Sequence, residues 1–366
     1  MKEISIVIPA YKAEETIKKT IASISIQTIV DKIEIIVSSD DPKGKYGFLL
    51  KCFPELDIKI LKTRENVGAG LARQKGLDAA KGKWVLFIDA DDVLADAFAV
   101  ERLWYSTKKE ENAVCAQGYF EDIQKVGDKY NFIRETNVRH SWLFGRLFNV
   151  SFIRDNGIRF SELRAAEDGE FYWKFLYCAI HNDKKIRLIE DVVYYWMPNS
   201  DTSITRIGQK NNIGQYDYDF CLVGNTVAMK RYIQFMQNKE ASEEELSLTI
   251  VEFFIGMYYS YLLCRKHRNE FEEQNKWLCA FFYNKYLKRI NVTEERFMDL
   301  YKEVPPTVEI DQTAIDEYPI EVWLSDIKSY DFSEDGIDEI RSRLSKDVLE
   351  NDKRCRFPEK VSVLFK

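Results

Sequence analysis

Histidine is scarce in this chain of 366 residues: only His140, His181 and His267 occur, none at metal-ligand spacing. A zinc hydrolase has little to be built from, so any metal should be oxygen-bound. Cysteine pairs are lacking too. The seven cysteines, Cys52, Cys115, Cys178, Cys221, Cys264, Cys279 and Cys355, include no C-x-x-C and are odd in number, which suggests neither a zinc knuckle nor a disulfide framework. They read as reduced thiols of a cytosolic chain. Positive charge is in deficit, with 53 Lys and Arg against 60 Asp and Glu and a net charge of −7. That balance disfavours a broad basic face for nucleic acid. Long hydrophobic runs are missing as well: Val251 to Cys264, the longest, carries Glu252 and falls short of the roughly 20 apolar residues of a membrane span. The N-terminus shows no signal-peptide pattern and enters an apolar strand at once. The expected location is cytoplasmic, with peripheral contact at the inner face of the membrane left open.

What is present suits a soluble globular protein, at 45% hydrophobic and 14% aromatic residues, and excludes fibrous and disordered classes. The length predicts about two domains. Ile4 to Ile8 reads as a buried strand stopped by Pro9, Ile33 to Val37 as a second, Ile58 to Leu61 as a third and Trp84 to Ile88 as a fourth. Helical patterns lie between them, with Ile17, Ile21 and Ile24 on one face of Glu14 to Gln27, and Ala69 to Ala80 closed by Gly82. This α/β alternation implies a mostly parallel, doubly wound, Rossmann-like sheet flanked by helices, with ligands beyond the carboxyl ends of its strands. A hairpin around Gly127-Asp128, a helix from about Glu170 to Cys178 and a strand from Arg187 to Trp196 follow. After about 210 long helical patterns take over, beginning with the capping box Ser242 to Glu245 and aromatics Phe253, Phe254, Tyr258 and Tyr261 at helical spacing. The expected organisation is a domain over 1–210 and an all-α C-terminal domain over 211–366, with Pro305-Pro306 as a local linker.

The strand ends carry the chemistry. Pro9-Ala10-Tyr11 follows the first strand and Ser39-Asp40-Asp41-Pro42 the second. An aromatic plane beside a carboxylate suits a nucleobase, which would stack on Tyr11 while Asp40 accepts its imide N–H. Asp89-Ala90-Asp91-Asp92 ends the fourth strand. In an extended segment Asp89 and Asp91 would face one ligand, one holding a divalent ion and the other a sugar hydroxyl. Arg73, in the first turns of the helix after Gly68 and Gly70, could reach a phosphate or the base. Each feature also has a plain structural reading, as loop packing, turn, helix cap or solvated surface charge. Trp142, Trp173 and Trp196 are open to the same choice between a sugar-stacking platform and core packing.

Ser5-Ile6-Val7-Ile8-Pro9-Ala10-Tyr11, Asn66-Val67-Gly68 with Ala72-Arg73 and Gly76, Phe87-Ile88-Asp89-Ala90-Asp91-Asp92, and Glu167-Asp168 together resemble the family 2 inverting glycosyltransferases of the GT-A fold. The resemblance covers about residues 1–205. It implies that Tyr11, Glu14, Asp40 and Arg73, with Pro9 and Ala90, line a nucleotide. It further implies that Asp89 meets the ribose, that Asp91 meets Mn²⁺ or Mg²⁺, and that Asp168 is the catalytic base. The chain departs from the family's Asp-Asp-Gly-Ser at Ser39 to Pro42. It also has Met197 near the place of the Arg that precedes a Ser-Ile-Ser/Thr element, here Ser203-Ile204-Thr205.

The implied activity is sugar transfer from a nucleoside-diphosphate sugar, a UDP-sugar for preference, to a glycan or glycoconjugate hydroxyl. A nucleotidyltransferase and a nucleotide-sugar-binding scaffold are the alternatives. The first lacks its glycine- and arginine-rich loop after strand one, and retention of both Asp91 and Asp168 speaks against the second. No nucleic-acid partner is expected; self-association through the helical domain is left open.

Overall fold

Strand β1 (Ile4–Ala10) is almost wholly apolar and β-branched, as a strand buried on both faces must be. In the computed structural model, which describes residues 2–135, 142–163, 166–198, 224–267, 272–304 and 310–330, β1 lies between two parallel neighbours, β2 (Ile33–Ser39) and β4 (Trp84–Phe87). β3 (Ile58–Lys62) extends the parallel half beyond β2. β1 runs through Pro9 rather than stopping there. Val7 accepts from Ile88 on the β4 side while Ala10 accepts from Asp40 on the β2 side, so alternation points Pro9 at β4. That strand has already ended, and the missing N–H costs no ladder bond.

Beyond β4 the sheet turns mixed. β8 (Arg146–Asn149) pairs antiparallel with β4 and with β6 (Ala113–Val126). β6 pairs parallel with β9 (Lys185–Trp196), and β9 antiparallel with the two-residue β5 (Val93–Leu94). The expected hairpin is β6 with β7 (Lys129–Glu135), and Gly127 at φ +62 turns its corner. Among the described residues the sheet has nine strands, with β3-β2-β1-β4-β8-β6-β9-β5 in order and β7 on β6.

Helices cover this sheet. α1 (Ile17–Ser25) buries Ile17, Ile21 and Ile24 as its spacing requires, and α2 (Leu49–Cys52) is a single turn. α3 (Ala69–Ala79) is poor in large side chains because it lies close against β1: a Cβ on Gly76 would overlap Val7. Gly82 does not cap α3, as the sequence had suggested. A Cβ there would stand 2.7 Å from Ile4 C and Ser5 N, and its N–H donates to Ser5 and to Glu34, so close backbone approach excludes any other residue. α4 (Ala99–Thr107), α5 (Val150–Asp155) and α6 (Glu167–His181) complete the layer, α6 beginning three residues before the expected start.

The chain divides into two compact units, Met1–Glu162 with Glu167–Ser200, and Leu163–Ala166 with Asp201–Lys366. The boundary expected at 210/211, the Ser203 to Thr205 element and the Pro305-Pro306 linker lie outside the described residues. The second unit is helical where described: α7 (Asn225–Asn238), α8 (Glu243–His267), α9 (Glu272–Lys285), α10 (Glu294–Glu303), α11 (Gln312–Glu317) and α12 (Ile320–Ser329). The capping box forms, with Glu245 N–H donating to Ser242 and Ser242 N–H donating back to Glu245. α8 is longer than its apolar stretch suggested, and by length and composition alone it could cross a membrane. Its Phe254, Tyr258 and Tyr261 are instead fully buried, ringed by Phe282, Phe297 and Trp323.

Replacing Gly76 by alanine should force α3 off Val7 and cost ~1–3 kcal/mol by overpacking. A lower denaturant midpoint with an unchanged slope in chemical unfolding would register it.

Candidate functional site

The loops after β1 and β2 meet. Lys45 N–H donates to Glu14 at 3.2 Å and Ala13 N–H to the Tyr46 hydroxyl at 3.0 Å. Tyr11 stands about half exposed, at 49%, with the Lys12 ammonium over its ring, 5.2 Å from the centre. Asp40, at the end of β2, is buried, and its two oxygens accept the N–H groups of Val67 and Gly68 at 2.8 and 2.9 Å. Gly68, at φ +91, starts α3. Asp40 thus braces the turn into α3, and a carboxylate with room for about four hydrogen bonds keeps some capacity for a ligand.

Asp89, Ala90, Asp91 and Asp92 do not continue β4. They form a turn closed by Asp92 N–H to the Asp89 carbonyl at 3.1 Å, so Asp89 and Asp91 are not related by strand alternation. The three carboxylates take separate environments. Asp89 pairs with Arg73 at 2.7 Å, Asp91 is partly exposed, and Asp92 is buried. Asp92 accepts from the Tyr194 hydroxyl at 2.6 Å and from Met197 N–H at 2.8 Å, which ties the acidic turn to the end of β9. Burial, with Asp91 and Asp89 beside it, pushes the Asp92 carboxyl well above the usual range.

Arg73 joins this turn to α6. One guanidinium nitrogen donates to Asp89, the other to Glu167 at 3.0 Å, and all but a tenth of the side chain is buried. The approach needs a small residue one turn earlier, since a Cβ on Gly70 would stand 2.6 Å from the Ser161 carbonyl and 2.9 Å from Glu167 Cγ. Glu167 delivers its neighbour Asp168 to the same place. Asp168 does not cap α6: it lies in the first turn, its Oδ1 accepting the N–H of Gly169 at 2.8 Å. Burial and the adjacent Glu167 push its carboxyl up to about 7, against the pull of Arg73.

Residues 5–161 match Glycosyl transferase family 2. They form a family 2 glycosyltransferase domain. The chain is 29% identical over 213 residues to the poly(ribitol-phosphate) beta-glucosyltransferase of Bacillus spizizenii, a match that takes in 54% of this chain and 33% of that protein. It is 26% identical over 229 residues, 58% of this chain and 68% of the other, to the poly(ribitol-phosphate) beta-N-acetylglucosaminyltransferase TarP of Staphylococcus aureus. Residues 1–349 of S. aureus TarS, solved in complex with UDP-GlcNAc, share the fold at a TM-score of 0.61 and 18% identity, over 90% of this chain and 91% of that one. This likeness establishes the GT-A fold, a mixed sheet between helices.

Arg73 and Asp89 of the matched stretch come together with Glu167 and Asp168, which lie just beyond it on α6, around one buried guanidinium, and Tyr11 with Glu14 borders the neighbouring strand ends. Sequence reasoning missed the structural parts of Asp92, of Tyr194, and of Arg146, which is buried on β8 and donates to Gln117 on β6 at 3.0 Å. Asp92 was visible as the third carboxylate of its run, and Arg146 as the lone charge in Leu143-Phe144-Gly145-Arg146-Leu147-Phe148; nothing marked Tyr194. Trp142 and Trp196 pack together, ring centres 5.3 Å apart, with Phe144 against both.

Substituting Arg73 by methionine should strand Glu167 in a buried site without its cation and cost ~3–5 kcal/mol. Thermal or chemical unfolding checks the loss, and Asp89→Asn, which leaves Glu167 paired, should cost less.

Proposed function

We propose that the chain is an inverting glycosyltransferase moving a sugar from a nucleoside-diphosphate sugar, a UDP-sugar for preference, to a hydroxyl of a polysaccharide or glycoconjugate. The observation that carries the reading is a raised carboxyl, Asp168, held beside an acidic turn at the strand ends through Arg73 and Glu167. The names of the relatives, which act on poly(ribitol-phosphate), support the acceptor class.

In this reading the base stacks on Tyr11, with Pro9, Glu14 and Asp40 beneath it, while Asp89 and Ala90 meet the ribose. Arg73 serves from below by holding Asp89 rather than by touching the nucleotide, since both ends of its guanidinium are engaged. Asp168 takes the proton of the acceptor hydroxyl as that oxygen bonds to the anomeric carbon. The bond to the diphosphate breaks on the opposite face, and the configuration inverts.

The residues fit a divalent ion. Among the described residues no three side chains form a metal site of their own, yet the 89–92 turn gathers three carboxyl groups, and burial together with Asp91 and Asp89 raises Asp92. Mg²⁺ or Mn²⁺ typically takes one or two carboxylates and fills its shell with phosphate oxygens and water. Asp91 would hold it, and its charge would offset that of the departing diphosphate.

The same reading takes 1–210 as the catalytic domain and 211–366 as a helical domain for acceptor docking, self-association or contact with the inner membrane surface from the cytoplasm.

Incubation with a panel of nucleotide sugars, with and without Mn²⁺, should release nucleoside diphosphate only with the metal; release from none of them, or equal release with chelator, would overturn the reading. Asp168→Asn should lower turnover about 10²–10⁴-fold while calorimetry shows UDP binding unchanged, whereas Asp91→Ala should weaken the metal-dependent part of binding. Because the base must be ionised, kcat/KM should fall as pH drops through about 7, well above the ordinary carboxylate range near about 4.

A further inference from the structure

Every residue of β7 but Glu135 is exposed, and large apolar ones stand among them: Tyr130 at 52%, Phe132 at 58% and Ile133 at 42%. The strand has neither proline nor glycine. Its register against β6 runs unbroken from Val126 with Lys129 to Phe120 with Glu135, and among the described residues β6 is its only neighbour. An edge that is long, regular and apolar at its middle is a template for a further strand, and natural sheets seldom leave one open.

The turn decides which groups this edge offers. Gly127 and Asp128 alone join β6 to β7, so Val126 and Lys129 form the closing hydrogen-bonded pair. Bonded pairs then recur at Gln124 with Asn131, Asp122 with Ile133 and Phe120 with Glu135. Tyr130, Phe132 and Arg134 therefore turn their backbone N–H and C=O groups away from β6. Their side chains share one face of the ribbon, where Phe132 meets the Tyr195 ring edge to face, centres 6.4 Å apart, and Arg134 meets Glu121 at 3.4 Å. Lys129, Asn131, Ile133 and Glu135 share the other face.

We propose that β7 is a dimerisation strand, pairing antiparallel with the β7 of a second copy of this chain about a two-fold axis at Phe132 and joining the two sheets into one. Such an axis sets one residue opposite itself and makes every other contact occur twice. Placed at Phe132, it lets all three outward residues bond, Phe132 with its counterpart and Tyr130 with Arg134. Placed at Asn131 or Ile133, it sets one of the three against the turn or past the end of the strand. The Phe132 axis also matches the side chains. Lys129 comes opposite Glu135 at both ends, the Arg134 guanidinium opposite the Tyr130 ring, and the two Phe132 rings side by side. An unrelated strand could use the same backbone groups, but the reversal of charge from Lys129 to Glu135 suits this strand to itself. Pairing consumes both open edges, so association stops at two copies.

Sedimentation of the full chain over a concentration series tests the pairing. A reversible dimer is expected. Phe132→Lys, which sets two ammonium groups together at the axis, should weaken it about tenfold or more, with far-ultraviolet circular dichroism unchanged because the side chain is exposed. Phe132→Cys should form a disulfide between the two copies under mild oxidation, since a bonded antiparallel pair holds its Cα atoms about 5.5 Å apart, within disulfide reach. Mass spectrometry of the joined peptide identifies that bond. Tyr130→Cys, which comes opposite Arg134, should give no such bond to itself. A monomer at every concentration, a dimer that Phe132→Lys leaves intact, growth beyond two copies, or cross-linking that does not distinguish Phe132→Cys from Tyr130→Cys would each overturn the proposal.

Discussion

The buried pairing of Arg73 with Asp89 and Glu167 is the constraint on which the site depends. Each partner comes from a different element: the helix after β3, the turn after β4, and the first turn of α6. A guanidinium suits this junction because its planar fork donates in two directions at once, which an ammonium cannot do with fixed geometry. With most of the side chain out of water, removal of the guanidinium leaves Glu167 a buried charge without its cation. The register of α6 against α3 is therefore enforced electrostatically as well as by packing. Gly70 permits the approach and the ion pairs hold it.

The acidic turn is secured from its other end by Asp92. Its side chain accepts from Tyr194 on β9 and from Met197 just past it, whereas the Asp89 side chain is held by Arg73 on α3. Adjacent carboxylates in one short turn repel, and three of them would splay without opposed anchors. By fixing the outer two from opposite sides, the fold leaves Asp91 between them partly exposed. Of the three, Asp92 alone is shielded from solvent, while Asp89 and Asp91 both stay partly exposed at the strand ends.

The parallel half of the sheet was legible because periodicity reports burial directly. Uninterrupted β-branched runs such as Ile4 to Ile8 and Ile33 to Val37 can hardly be anything but central strands, and the Ile17, Ile21, Ile24 spacing gave the face of α1. Boundaries were less legible, for reasons that lie in partners. Pro9 stays in its strand because β4 has already ended, a fact of the neighbour and not of the local sequence. Asp168 lies inside α6 because Glu167 is drawn back to Arg73, 94 residues away in sequence. Gly82 looked like a helix cap and is instead a point of backbone contact with β1. In the candidate site, residue types at strand ends were readable, but the service of Asp40, Arg73 and Asp92 to the scaffold depends on long-range partners that no spacing rule encodes. Tyr194 illustrates the limit: within a strand of apolar and aromatic residues, nothing distinguishes the one whose hydroxyl braces the acidic turn.

The charges around Asp168 follow from the same geometry. A carboxylate placed in a crevice with a neighbouring glutamate would by burial and repulsion stay protonated at neutral pH and be useless as a proton acceptor. One surrounded by unshared arginines would be too weak a base to take a proton from a hydroxyl. The fold steers between these by committing Arg73 to Asp89 and Glu167, so that only part of its field reaches Asp168. The same arginine that assembles the site thereby keeps the Asp168 carboxylate from being over-stabilised, and in the proposed reading structure and reactivity are set by one arrangement of charges. Glu167 is then more than a spacer. By drawing the guanidinium to itself it both positions Asp168 and preserves its basicity.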